Sequence, residues 1–297
     1  GTEANNHALA GTGRERLLVS AIEHDSVLEA ARGAVRVPVT SAGAVDLDAL
    51  DRLLAGGAAP ALVSVMLVNN ETGVVQPVAE AARIAHAHGA LVHCDGVQAA
   101  GRLALDMSDL AVDLLSLSAH KIGGPKGVGA LVVREGTAVE ALLRGGGQER
   151  RRRAGTENVA GIAGVGAAAR AALCGLGEAA RLARLRDGLE AGIRAACADA
   201  RFHGAEAVRV GNTSCIGMPG VPAETQLMAF DLAGLSVSTG AACSSGKVKA
   251  SHVLVAMGVP ANDAACAVRV SLGWSTGDAD VARLIEAWTA LHRRRAA

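Results

Sequence analysis

Two stretches, Leu91-Val92-His93-Cys94-Asp95-Gly96-Val97-Gln98 and Leu114-Leu115-Ser116-Leu117-Ser118-Ala119-His120-Lys121, decide the fold. Each is a short apolar run that stops abruptly in polar residues, the pattern of a strand buried on both faces and ending at a functional edge. Similar runs occur at 16–21, 35–39, 62–68 and 130–133. Helical patterns lie between them at 26–31, 46–55, 78–88 and 97–101, with a further one at 4–10. Strands of four to seven residues separated by helices predict an α/β fold, a mainly parallel sheet with helices on both faces. Ligands of such sheets bind beyond the carboxyl ends of the strands. The polar residues gather there: Glu23-His24, Asn69-Asn70-Glu71, Asp95 with Gln98, and Ser118 to Lys121.

From about residue 157 to 200 the chain is rich in Ala, Leu, Arg and Glu, which favours long helices. Beyond it, strand patterns at 207–210, 213–218 and 268–272 mix with helical ones at 223–233 and 278–294. This predicts a smaller α+β C-terminal domain, so the chain reads as 1–172 and 173–297. A Gly/Ser/Lys-rich stretch, 238–249, interrupts the second domain and contains Cys243.

The whole chain has 297 residues, half of them hydrophobic, and 29 basic residues balance 29 acidic ones. Zero formal charge gives no field for steering to a polyanion, which argues against a nucleic-acid binder or a membrane-surface protein. The basic run Arg150 to Arg153 is the local exception. Apolar runs such as 61–68 are far shorter than the ~20 residues of a spanning helix, and no signal-peptide pattern opens the chain. A cytoplasmic location is the expectation. The six cysteines are widely spaced with no metal-type pairing, so five read as small core residues. His86, His88 and His93 read as surface or core side chains rather than metal ligands, and no metal is expected.

An isolated Asp and Lys would read first as a salt bridge. Here Asp95 ends one strand and Lys121 follows another, so both face one crevice, the arrangement that suits pyridoxal 5'-phosphate (PLP). Ser118 and His120 flank the lysine as candidate phosphate donors. Gly123-Gly124-Pro125-Lys126-Gly127 follows as a turn of close backbone approach, and Gly1-Thr2-Glu3 opens a helix whose free N–H groups favour an anion.

Nine blocks carry a resemblance: Gly-Thr-Glu-Ala-Asn-Asn (1–6), Glu-His-Asp-Ser-Val (23–27), Val-Asn-Asn-Glu-Thr-Gly (68–73), His-Cys-Asp-Gly-Val-Gln (93–98), Ser-Ala-His-Lys-Ile-Gly-Gly-Pro-Lys-Gly (118–127), Gly-Gly-Gly-Gln-Glu-Arg (145–150), Arg-Ala-Gly-Thr-Glu-Asn (153–158), Ser-Thr-Gly-Ala-Ala-Cys-Ser-Ser-Gly (238–246) and Val-Arg-Val-Ser-Leu-Gly (268–273). In this order the chain resembles the NifS/IscS-type cysteine desulfurases, class V enzymes of the fold-type I PLP superfamily. The resemblance implies a homodimer that converts L-cysteine to L-alanine and passes the sulfur to an acceptor protein of iron–sulfur or thio-cofactor synthesis. It implies that Lys121 holds the cofactor as a Schiff base, that Asp95 pairs with the pyridine nitrogen and that Gln98 bonds the phenolic oxygen. His24 would stack on the ring. Thr2, Ser118 and His120 would bind the phosphate, joined by Thr156 of the second subunit. Asn70 and Arg269 would hold the substrate carboxylate, and Cys243 would carry the persulfide.

The family normally has several tens of residues before the Gly-Thr-Glu block, including a first strand, so part of the active-site wall and of the small-domain sheet is expected outside these residues. A selenocysteine lyase or another class V lyase or aminotransferase would share Lys121 and Asp95; Cys243 and its surroundings discriminate. A truncated, non-catalytic scaffold is the non-enzyme alternative, separable by cofactor absorbance.

Overall fold

The computed structural model describes residues 1–240 and 250–295, so the expected persulfide residue Cys243 lies outside the described residues. The chain forms two compact units. Gly1–Pro38, Val45–Asn69 and Gln76–Leu176 make the first, and Val39–Ala44, Asn70–Val75 and Gly177–Ala297 make the second.

The first unit is built on a six-stranded sheet: β1 (Arg16–Ser20), β2 (Val35–Val37), β3 (Ala61–Ser64), β4 (Leu91–Asp95), β5 (Leu114–Ser118) and β6 (Gly129–Val133), in the order β2-β1-β3-β4-β5-β6. All neighbours are parallel except β5 and β6. Helices α1 (Thr2–Gly11), α2 (Asp25–Leu28), α3 (Leu47–Ala55), α4 (Val78–Ala87) and α5 (Val159–Cys174) accompany it. Every position of β3 is buried, as expected of an inner strand covered on both faces. Local chemistry sets the helix starts: Asp46 Oδ1 accepts from the Ala49 N–H at 2.8 Å and Asn158 Oδ1 from Gly161 at 3.0 Å.

The expected α/β sheet is present, with differences of local origin. The strand pattern at 62–68 ends at Ser64 because the Met66 N–H leaves the ladder and donates to Glu23 Oε1, 2.6 Å away. The helix expected at 97–101 is a run of turns. Asp95 Oδ1 takes the Val97 N–H at 2.9 Å, and Gly101, at φ 75°, departs from helical backbone.

The second unit holds an antiparallel sheet of β7 (Arg201–His203), β8 (Thr213–Gly217), β9 (Ser238–Thr239) and β10 (Ala267–Ser271), in the order β7-β8-β10-β9. Its helices are α6 (Glu178–Ala196), α7 (Ala223–Leu232), α8 (His252–Ala256), α9 (Ala261–Ala264) and α10 (Asp278–Arg295). Leu189, Ile193, Ile216, Met218 and Phe230 form its core with Trp288, whose ring stacks on Phe230 at 5.6 Å between centroids. The strand expected at 207–210 is a loop touching Val74 through one bridge at Arg209. The Arg209 guanidinium makes two bonds to the buried Glu190 carboxylate, 2.7 and 3.1 Å, where Ser214 Oγ also donates at 2.7 Å.

Among the described residues, 159–196 is long and apolar enough to cross a membrane by length and composition. Its apolar part, α5, has 16 residues and spans about 24 Å, short of a ~30 Å hydrocarbon core, and α6 carries seven charged side chains.

Candidate active site

The first unit collects chemistry at the carboxyl ends of its central strands. Asp95 is the last residue of β4 and is 5% exposed. Its carboxylate is held on both oxygens, Oδ1 by the Val97 N–H at 2.9 Å and Oδ2 by Asn5 Nδ2 at 2.7 Å. Ser118 ends β5 and is also buried. A 3-10 turn, Ala119–Ile122, follows it and presents His120 and Lys121 to solvent, closed by Gly123 in the left-handed region at φ 82°. Ser118 Oγ lies 2.8 Å from His120 Nδ1. Slight burial, and then the neighbouring Lys121 charge, hold His120 below the ordinary histidine value, which leaves a neutral ring at neutral pH.

Thr2 begins α1, whose first turn has N–H groups without intrahelical acceptors. Glu3 beside it binds Arg153 at 2.8 and 3.3 Å, and that hydrogen bond holds its carboxyl below the usual range. Arg153 thereby ties the segment carrying the exposed Thr156 to the start of α1. His24 is the N-cap of α2, its Nδ1 accepting from the Ser26 N–H at 3.1 Å. Gln98 is half-buried in the turn after Asp95.

These residues fit PLP by their chemistry: a buried carboxylate for a protonated ring nitrogen, an exposed lysine, and a hydroxyl–imidazole pair with a helix N-terminus for a phosphate.

In the second unit, Arg269 on β10 donates from Nη1 to the Asn70 carbonyl at 2.8 Å. Its Nε is buried and has no partner among the described residues, a donor suited to a carboxylate. The Asn70 side chain is half-buried. Glu71, next in sequence, accepts from Ser251 Oγ, and any side chain at Gly240 would collide with its carboxylate. One buried acid thus sits against Gly240 and Ser251, which flank 241–249.

The other histidines and cysteines have structural surroundings. His86 pairs with Asp113 at 2.9 Å and His88 with Asp51 at 2.8 Å. His93 lies fully buried between Ser64 Oγ and Ser116 Oγ, 2.9 Å from each. Cys94, Cys197, Cys215 and Cys266 are buried, and burial pushes the Cys94 and Cys215 thiols up. Cys174 departs from the core expectation: it is exposed, at the last position of α5. Asn5, Ser26 and Glu23 were given no role by sequence reasoning, although each lies within a block that carries the resemblance.

The aminotransferase class-V family pattern matches residues 1–284. The chain belongs to that family. It is 45% identical over 299 residues to the cysteine desulfurase of Cereibacter sphaeroides, covering 96% of this chain and 76% of the relative. Cysteine desulfurase IscS of Dictyoglomus turgidum is 39% identical over 295 residues, covering 95% and 74%. The solved NifS-like protein from Rickettsia africae superposes with a TM-score of 0.90 at 32% identity, over 98% of this chain and 79% of its own.

Proposed function

We propose that the chain is a PLP-dependent cysteine desulfurase, which converts L-cysteine to L-alanine and retains the sulfur on Cys243 as a persulfide. The observation that carries this is the grouping of Asp95, Lys121, Ser118, His120 and the α1 N-terminus in the first unit, in a chain whose relatives are cysteine desulfurases.

Asp95 accepts a hydrogen bond from the ring nitrogen and keeps it protonated. Gln98 would hydrogen-bond the phenolic oxygen and His24 would stack on the ring. Ser118, neutral His120 and Thr2 donate to the phosphate, with Thr156 reaching it from a second copy of the chain. Bound PLP supplies an electron sink for the pair left at the substrate Cα. Lys121 would hold the cofactor and, as a free amine, would take the Cα proton on Nζ. Asn70 and Arg269 orient the substrate through its carboxylate. The Cys243 thiolate then attacks the substrate sulfur: an S–S bond forms as the Cβ–S bond breaks, and the three-carbon remainder leaves as alanine after protonation. Sulfur passes from Cys243 to an acceptor protein.

The homodimer has support in α5. Val159, Ile162 and Leu173 are 71%, 45% and 67% exposed, with Leu142 and Leu143 also open. Glu149, Arg150 and Arg151, just before Thr156, all adopt φ between 47° and 64°, a strained run that a partner surface would stabilise. A homodimer that covers this face accounts for these features.

Replacing Cys243 by Ser tests the sulfur step. The variant should bind PLP and respond spectrally to L-cysteine, yet release no sulfide in the presence of a thiol reductant. Sulfide release at the wild-type rate would remove Cys243 from the reaction.

A further inference from the structure

We infer that Asn5 is a positioning residue, which holds the Asp95 carboxylate in the orientation that the cofactor's ring nitrogen requires. The inference rests on the PLP reading above. A carboxylate rotates easily about its terminal torsion, which has no sharp wells. Asp95 is denied that rotation by two donors from two different elements. The Val97 N–H takes Oδ1 at 2.9 Å, and Asn5, 90 residues away on α1, takes Oδ2 at 2.7 Å.

The Asn5 amide is itself fixed. Its nitrogen must face Asp95, because an ionised carboxylate cannot donate. Its second N–H goes to Ser26 Oγ at 2.8 Å. That leaves Oδ1, which is buried and has no partner among the described residues. An amide serving stability alone would satisfy its oxygen as well, since a buried acceptor left empty costs free energy. Here both hydrogens are used toward the cofactor set and the oxygen is sacrificed.

Ser26 extends the connection to His24. The Ser26 N–H, an obligatory donor, points at His24 Nδ1, so the ring carries a proton on Nε2 and none on Nδ1. Ser26 Oγ, which accepts from Asn5, lies 2.9 Å from the same Nδ1. Asn5 therefore bears on two of the groups assigned to the ring, Asp95 directly and His24 through one hydroxyl. It also follows Thr2 by three residues on α1, which puts both on one face of the helix. Asn6 secures that helix by donating to the Ser26 carbonyl at 3.0 Å. The helix whose N-terminus is offered to the phosphate thus also grips the acid assigned to the ring nitrogen.

The test is a double-substitution cycle read by PLP affinity, from absorbance titration of the cofactor-free protein, with urea denaturation of each variant alongside. Asp95→Asn and Asn5→Ala should each weaken PLP binding by about tenfold or more, as expected for loss of a hydrogen bond to a charged group. Added to Asp95→Asn, the Asn5→Ala change should cost less than about threefold further, because the carboxylate it positions has gone. The exchange Asn5→Asp with Asp95→Asn is isosteric and keeps the pair: residue 95 still accepts from Val97, and its new amide now donates to residue 5. That protein should keep a near wild-type urea midpoint while binding PLP as weakly as Asp95→Asn alone. Should Asn5→Ala fold poorly, Asn5→Asp alone serves, since carboxylate against carboxylate displaces Asp95 and PLP affinity should again fall tenfold. Wild-type PLP affinity in the Asn5 variants, an undiminished Asn5 effect in the Asp95→Asn background, or restored affinity in the exchanged pair would each overturn the inference. Unchanged affinity in Asp95→Asn itself would instead overturn the cofactor reading on which it stands.

Discussion

Arg269 illustrates how much of a functional side chain is set by its immediate neighbours. One arm of its guanidinium is committed to the Asn70 carbonyl at 2.8 Å, while its buried Nε keeps a hydrogen without an acceptor among the described residues. A lysine could satisfy the carbonyl or the substrate carboxylate but lacks the fork to do both. Arg269→Lys should therefore raise KM for L-cysteine by about tenfold or more while PLP absorbance stays normal; an unchanged KM in steady-state assays would dismiss Arg269 as the carboxylate ligand. At this scale the sequence was legible where chemistry coincides with position: Asp95, Ser118 and Lys121 stand at or just beyond the ends of apolar runs, and those ends are where a parallel sheet presents its ligands. Asn5 was not legible, because an amide acquires meaning only from its partners and one of them is 90 residues distant. Glu23 is similar. Burial, and then the nearby Asp95 charge, drive its carboxyl well above the ordinary range, and it accepts from the Met66 N–H where β3 ends.

The elements that carry the site are locked by side chains across the sheet as well as by the ladder itself. His93 on β4 bridges Ser64 on β3 and Ser116 on β5, and burial lowers it from the ordinary 6.5 to about 4. The unfolded chain takes up a proton here below pH 6.5, whereas the folded one refuses it until about pH 4. The folded state is therefore unaffected by this group above pH 6.5 and loses stability progressively as the pH falls from there toward 4. His93→Gln removes this term, so urea denaturation between pH 7 and 5 should show a shallower loss of stability in the variant than in the wild type. Parallel slopes would mean that His93 titrates in the folded state as it does in the unfolded one. Element type was legible wherever periodicity ran for a full strand or several helical turns, as in β5 and α4. It failed at 97–101, where Asp95 caps the turn and Gly101 takes a positive φ, and at 207–210, where a single bridge to Val74 replaces the strand.

On the scale of the whole molecule, a mainly parallel six-stranded sheet carries the residues proposed to hold the cofactor, and an antiparallel four-stranded sheet carries Arg269. The family and the α/β class were both legible in the sequence, because the motif blocks run in order along the chain and the strand–helix alternation is regular. Two segments of the first half, Val39–Ala44 and Asn70–Val75, belong to the second unit, an exchange that only long-range packing determines. The open apolar side of α5 was equally hidden, since an alanine-rich helix has the same composition whether it lies in a core or awaits a partner.

The central claim, that this chain desulfurates cysteine with PLP, is tested most directly by one absorbance experiment. The purified protein is mixed with PLP, its visible spectrum is recorded before and after L-cysteine, and alanine and sulfide are assayed in the same tube with a thiol reductant present. The account predicts a visible band that Lys121→Ala abolishes, a shift of that band on adding cysteine, and alanine and sulfide in equal amounts. A folded protein that binds PLP through Lys121 and yields neither product would contradict it.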